Sequence, residues 1–158
     1  MKTFYLVVPG EPVGKARPRV TRFVTYTPKK TLEYENRIRH YASLYNLAPI
    51  TEQCSLKISA YFSVPKYYSK KRKANCLSGL EKPTKKPDID NVTKSVLDAL
   101  NPKFKVNKAT RHRVMISPGI YEDDKLVTDL EVHKFYSVTP RTEIEITWEG
   151  TNSAIIRS

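Results

Sequence analysis

Leu56, Ile58, Ala60, Phe62 and Val64 alternate with polar or small residues, and this spacing constrains the fold more than any other stretch. Successive side chains of a strand point to opposite faces, so the run predicts a half-buried strand. A sheet with one covered face needs helices to cover it. Tyr34, Ile38, Tyr41 and Tyr45 make one apolar face, in a helix predicted from near Thr27 with Pro28 at its first position. Asn46 and Pro49 close it. Val92, Val96, Leu97 and Leu100 make a second apolar face, in a helix from about Asp90 to Leu100 that Asn101-Pro102 ends. Further strands are predicted over Phe4 to Val8, over Leu126 to Val138, and over the alternating Thr142, Ile144, Ile146 and Trp148. Ser69 is placed to cap a short basic helix that stops at Gly79. Residues 103–118 read as basic and irregular, with a possible strand at Val114 to Ile116. The expected fold is α+β: a mostly antiparallel or mixed sheet packed against two main helices, mainly on one face. The 158 residues suit one domain over 1–150 and a frayed tail over 151–158.

Charge narrows the partner. Lysine and arginine number 28 against 16 aspartates and glutamates, a net charge of +12. Such an excess favours a polyanion, of which nucleic acid is the commonest. No amphipathic helix with a purely basic polar face points to a membrane surface. The N-terminal apolar run is ended by Pro9-Gly10 too soon for a signal core, and no stretch approaches a membrane span. Cys54 and Cys76 lack zinc-finger spacing and are too few for a disulfide scaffold. These features together lead to the expectation of a cytoplasmic protein with reduced thiols.

Within this basic chain, acid residues concentrate at two places. Asp88 and Asp90 flank Ile89 where the second main helix begins, and Asp123-Asp124 follow Tyr121-Glu122. Magnesium takes hard oxygen ligands and keeps several waters, so two to four converging carboxylates could hold it against a phosphate. The plainer reading of an aspartate before a helix is a cap. Only one of two aspartates can occupy that position, which leaves the other unexplained. Acidic triplets are common in exposed turns, so Glu122-Asp123-Asp124 alone says little. The glycine and terminal glutamate of a calcium loop are missing after Asp88. Lys94 lies four residues after Asp90, on the same helical face. It serves equally as a surface ion pair or as a partner for phosphate charge.

Two basic groups offer phosphate contacts. One is Lys15, Arg17, Arg19 and Arg22, with Phe23 and Tyr26 nearby; the other is Lys70, Lys71, Arg72 and Lys73. The plainer reading is solvated surface, against which the interleaved arginines and prolines near Phe23 modestly favour a phosphate-facing loop. His40, His112 and His133 have no ligand spacing, and no Gly-rich phosphate loop or nucleophile–histidine pattern can be assembled.

Lys86-Pro87-Asp88-Ile89-Asp90-Asn91-Val92-Thr93-Lys94, continued by Val96-Leu97-Asp98-Ala99-Leu100-Asn101, resembles the signature of the RusA family of Holliday junction resolvases. Tyr121-Glu122-Asp123-Asp124-Lys125-Leu126-Val127 resembles that family's second acidic motif. Gly14-Lys15-Ala16-Arg17-Pro18-Arg19, Tyr26-Thr27-Pro28 and Ser69-Lys70-Lys71-Arg72 resemble members from Gram-positive bacteria and their phages. The resemblance covers roughly Phe4 to Trp148. It implies a small homodimeric endonuclease that uses magnesium, with manganese a possible substitute, to nick four-way DNA junctions in recombination and repair. It also implies that Asp88, Asp90 and Asp124 are the catalytic carboxylates that bind metal, with Asp123 assisting, and that Lys94 is the catalytic lysine. One departure stands out. The segment from Leu100 to Asp123 is longer than the family leads one to expect, with Lys103, Lys105, Lys108, Arg111 and Arg113 in the extra part. It is expected either to add DNA contacts or to form a flap. Two other readings stay open: a non-catalytic basic nucleic-acid-binding protein, and a nuclease for flaps or forks.

Overall fold

The computed structural model describes residues 1–150; the tail expected to fray, 151–158, lies outside the described residues. Its elements follow in chain order. Strand β1 (Lys2–Pro9) leads to a short hairpin of β2 (Arg19–Val20) and β3 (Thr25–Tyr26), then helix α1 (Lys29–Ser43). Strand β4 (Cys54–Phe62) is followed by helices α2 (Lys70–Ser78) and α3 (Ile89–Leu100). A β-ribbon of β5 (Lys103–Val106) and β6 (Arg113–Ser117) comes next, then a 3-10 turn (Asp124–Leu126), β7 (Val127–Tyr136) and β8 (Arg141–Trp148).

The main sheet has the order β1-β8-β4-β7. Its β1–β8 and β8–β4 pairs are antiparallel, while β4 and β7 run parallel, so the sheet is mixed. A parallel pair cannot be joined by a tight turn. The connection from Phe62 to Val127 therefore has room for α2, α3 and the ribbon, which is how the α3 region comes to lie over the sheet. Register aligns the predicted alternations in rows. Leu6 pairs with Ile144 and Ile144 with Ile58; Phe4 pairs with Ile146 and Ile146 with Leu56. These residues are buried, and Tyr34, Ile38 and Ala42 of α1 and Val96, Ala99 and Leu100 of α3 close over them. The two main helices cover one face, as expected for the α+β fold.

The local signals held with small shifts. α1 begins at Lys29, with Pro28 in the capping position rather than the first helical one. Tyr34 and Ile38 are buried, but Tyr45 lies beyond the helix and is exposed; its ring meets Phe4 edge-on. Ser69 caps α2, its Oγ accepting from the Arg72 N–H at 3.2 Å, and Gly79 ends it at φ 88°, where glycine is favoured. Residues 103–117, expected to be irregular with one possible strand, form a two-stranded ribbon. Both its faces are exposed, so no burial pattern marked it in the sequence. No helix among the described residues is long and apolar enough to cross a membrane.

Candidate active site

α3 carries the first acidic motif at its start. Val92, Val96, Ala99 and Leu100 bury one side of the helix, and the residues between them face a cleft of about 1030 Å³. Asp88 sits in extended backbone just before the helix, the capping position, but its carboxylate makes no capping hydrogen bond. Asp90 lies in the first turn. With one turn of helix per 3.6 residues, Asp90, Lys94 and Asp98 stack along the cleft side. Asp88, Asp90 and Lys94 are exposed and have no side-chain hydrogen bond or ion pair among the described residues. Charged groups without partners cost the fold nothing to commit elsewhere, so they are available to a ligand.

The opposite wall is the loop from Pro12 to Pro18, fastened across both main helices. The backbone N–H of Lys15 donates to the Asn91 carbonyl at 2.7 Å, and that of Ala16 donates to Thr31 Oγ1 at 3.2 Å. Gly14 permits the approach: a Cβ there would lie 2.6 Å from Pro87 Cβ and 3.2 Å from Asn91 Cβ. The Lys15 ammonium lies 2.6 Å from Glu35 Oε1 and 3.0 Å from Asp98 Oδ2. Glu35 is a buried carboxylate, 5% exposed, so this lysine compensates a charge that would otherwise be costly. Burial works against the Lys15 charge, but its bonds to Glu35 and Asp98 outweigh that and hold its pKa above the ordinary lysine value.

The floor beneath Asp88 is held by a residue that sequence reading missed. Lys134 of β7 donates to the carbonyls of Lys85 and Pro87, both at 2.8 Å, tying the segment before α3 to the sheet. Its place follows from strand pairing rather than from any local sequence pattern. In register, Lys134 pairs with Ala60, so it stands on the covered face where an apolar residue would be expected. Lys85 extends the same support outward, its ammonium 2.5 Å from the Tyr67 hydroxyl.

The second acidic motif is positioned quite differently. Asp124 accepts from Asn101 Nδ2 at 3.1 Å, and its backbone N–H donates to Asn101 Oδ1 at 2.9 Å. Asn101 is the residue that ends α3. Buried Tyr121 donates to the Leu97 carbonyl at 2.8 Å, and the Ile120 N–H donates to the Leu100 carbonyl at 2.9 Å. Burial first, then the Asp124 charge, push the Tyr121 hydroxyl far above its ordinary pKa, which keeps it a neutral donor. Asp123 caps the 3-10 turn through the Lys125 N–H at 2.9 Å; that bond, and then the Asp124 side chain, hold its carboxyl below the usual range. The motif is thus strapped to the far end of α3 from Asp88. A helix of 12 residues spans about 18 Å. Asp88, Asp90 and Lys94 come together on the cleft; Asp123 and Asp124 do not line it. No three His, Cys, Asp or Glu side chains among the described residues of one chain converge as a metal site.

The predicted DNA-contacting cations divide. Arg17 lines the cleft, and Arg17, Arg19 and Arg22 are exposed, Arg22 over the Phe23 ring. Lys70 and Lys71 are exposed on α2, with Lys73 half-buried. Two are already engaged. Lys15 is spent on Glu35 and Asp98, and Arg72 bonds Glu81 at 3.0 Å while lying 3.6 Å over the Tyr68 ring.

At the cleft end of α3, two carboxylates two residues apart and unpartnered among the described residues offer the hard oxygens that magnesium takes.

The family model described as Endodeoxyribonuclease RusA matches residues 9–111 and 112–147. A Bacillus subtilis (strain 168) protein, YqaN, described only as uncharacterized, is 36% identical over 153 residues, covering 92% of this chain and 96% of its own. With both acidic motifs inside the matched segments, the chain belongs to the RusA endodeoxyribonuclease family.

Proposed function

We propose that this protein is a magnesium-dependent endonuclease that resolves four-way DNA junctions by paired nicks, working as a homodimer. The observation that carries the reading is the trio of Asp88, Asp90 and Lys94, unpartnered among the described residues and facing one cleft. Against a non-catalytic role stands the absence of a capping bond from Asp88, since the cap was the alternative use for it. Bound by Asp88 and Asp90, magnesium would supply positive charge to the scissile phosphate and acidity to a coordinated water, with manganese a possible substitute. The chain's own groups do the rest. Lys94 lies one turn along from Asp90 and offsets charge developing on the phosphate. The loop held by Lys15 walls the cleft and brings Arg17 to the DNA backbone. Lys134 keeps Asp88 from drifting with the segment before it.

Asp124 enters this reading from a second copy. Its strap to Asn101 keeps it about a helix length from Asp90 of the same chain. A two-fold dimer that sets the far end of one α3 beside the cleft of the other would complete both sites at once. Two such sites would act on strands of opposite polarity, as a symmetric junction needs. Mixing subunits tests this directly. A dimer of one Asp90→Asn chain and one Asp124→Asn chain retains one intact shared site, so activity should return when two inactive variants are mixed. Sites contained within one chain predict no recovery.

The reading as a whole is tested by nicking of a four-way junction with magnesium, comparing the parent with Asp90→Asn. Equal rates would overturn it. A panel containing flaps and forks decides substrate preference; faster cleavage of a flap would replace the junction as substrate while keeping the nuclease.

A further inference from the structure

The β5–β6 ribbon projects from the end of α3, between Asn101-Pro102 and Pro118-Gly119, and packs on no other element beyond a few contacts. A two-stranded ribbon alone is marginally stable in water, so this one is built to meet something. Register shows what it offers. Phe104, Val106, Arg113 and Met115 share one face; Lys105, Val114 and Ile116 share the other. The Arg113 guanidinium lies 4.1 Å from the Phe104 ring centre, consistent with that assignment. The tip is ordered by Asn107, whose Oδ1 accepts from the Ala109 and Thr110 N–H groups at 2.9 and 3.3 Å. Lys108 and Arg111 project there. Between Lys103 and Ser117 there are five lysines and arginines and no acid residue.

We propose that this ribbon is an arm that enters a groove of duplex DNA. The proposal rests on the DNA-binding half of the reading above and not on the cleavage chemistry. Three features select DNA over protein. Cations stand on both faces and at the tip, and a groove has phosphate walls on both sides. The major groove, about 12 Å wide, admits a two-stranded ribbon. No acid residue within the ribbon offsets its five positive charges, so it complements a polyanion along its whole length. The exposed apolar side chains then meet base edges and sugars rather than solvent, and the ordered tip lowers the cost of insertion.

The test is binding of a fluorescent duplex and of a four-way junction, in EDTA so that nothing is cut, across a salt series. The full-length variant Lys105→Gln/Lys108→Gln/Arg111→Gln/Arg113→Gln should give a log affinity against log salt slope shallower by about 2–4, and weaker binding by roughly 10²-fold or more at 0.1 M salt. All four positions are exposed, so folding is not at stake, and Lys105→Arg/Lys108→Arg should keep the parental slope. An unchanged slope in the quadruple variant overturns the proposal. So does a variant that binds DNA as the parent does but changes its sedimentation, because the ribbon would then be an arm between copies. The nuclease reading fails separately, by equal cleavage in the parent and Asp90→Asn, and leaves this slope untouched.

Discussion

The two ends of α3 hold carboxylates in opposite circumstances. At the start, Asp88 and Asp90 have no partner among the described residues, and neither has Lys94 one turn on. At the far end, Asp124 is gripped on both its backbone and its side chain by Asn101, and Asp123 is used as a cap. The difference teaches what each motif contributes. The near end is open to a ligand, held from behind by Lys134 and Lys15. The far end is fixed in place by its own chain, through Asn101.

The sharpest way to break this comparison is to neutralise one carboxylate at each end. Asp90→Asn should lower junction nicking beyond ~10³-fold, and Lys94→Met by roughly 10²–10³, the usual cost of removing a preorganised charge. The stability effects should separate the ends. Removing Asp90 relieves repulsion between neighbouring carboxylates and should leave melting unchanged or raised. Asp124→Ala strands Asn101 and should lower stability by about 1–3 kcal/mol. Melting curves that fall equally for both would end the distinction between an open and a fixed motif.

Next in size is the clamp that walls the near end. Lys15→Met leaves Glu35 buried with only the looser Arg39 contact at 3.9 Å, and should cost on the order of 3 kcal/mol. Its pH dependence has a definite sign. The folded pKa of Lys15 is raised, so its contribution is full below the ordinary lysine value and is lost as pH rises through the folded one. Denaturant melts of the parent should therefore lose more stability than Lys15→Met above about pH 10.5. Parallel alkaline limbs would show that the ammonium is not what fastens the loop.

How much of this was legible follows from sequence distance. The alternation of Leu56, Ile58, Ala60 and Phe62, the apolar stripe of α3 and the Ser69–Gly79 caps are local, set by pleat, helix pitch and backbone preference. Asp90 and Lys94 could be read as one face because they stand one helical turn apart, whereas Asp88 joins them from the extended backbone before the helix. Nothing local says that β7 runs parallel to β4, and so nothing local placed Lys134 beneath Asp88. The Asn101–Asp124 grip spans 23 residues and the Lys15–Glu35 bond 20, with the pairing decided by how helices and loops pack. Lys15 looked like a phosphate contact for the same reason: its spacing was visible and its buried partner was not.

The smallest effect extends the comparison from carboxylates to cations. Arg17 stands exposed on the cleft without a partner among the described residues, while Arg72 is bonded to Glu81 and stacked on Tyr68. If partnered charges serve the fold and unpartnered ones serve the ligand, the two arginines should behave oppositely although both sit in basic stretches. Arg17→Gln should make the salt slope of DNA binding shallower by roughly 0.9, the share of one phosphate contact, with no change in melting. Arg72→Gln should leave that slope alone and lower the melting temperature slightly, because its ion pair is exposed but its ring contact is close. A salt series and a melt on each variant decide it. Equal slopes for the two would mean that DNA competes successfully with Glu81 for Arg72, and that a partner seen in the free protein does not remove a cation from the binding surface.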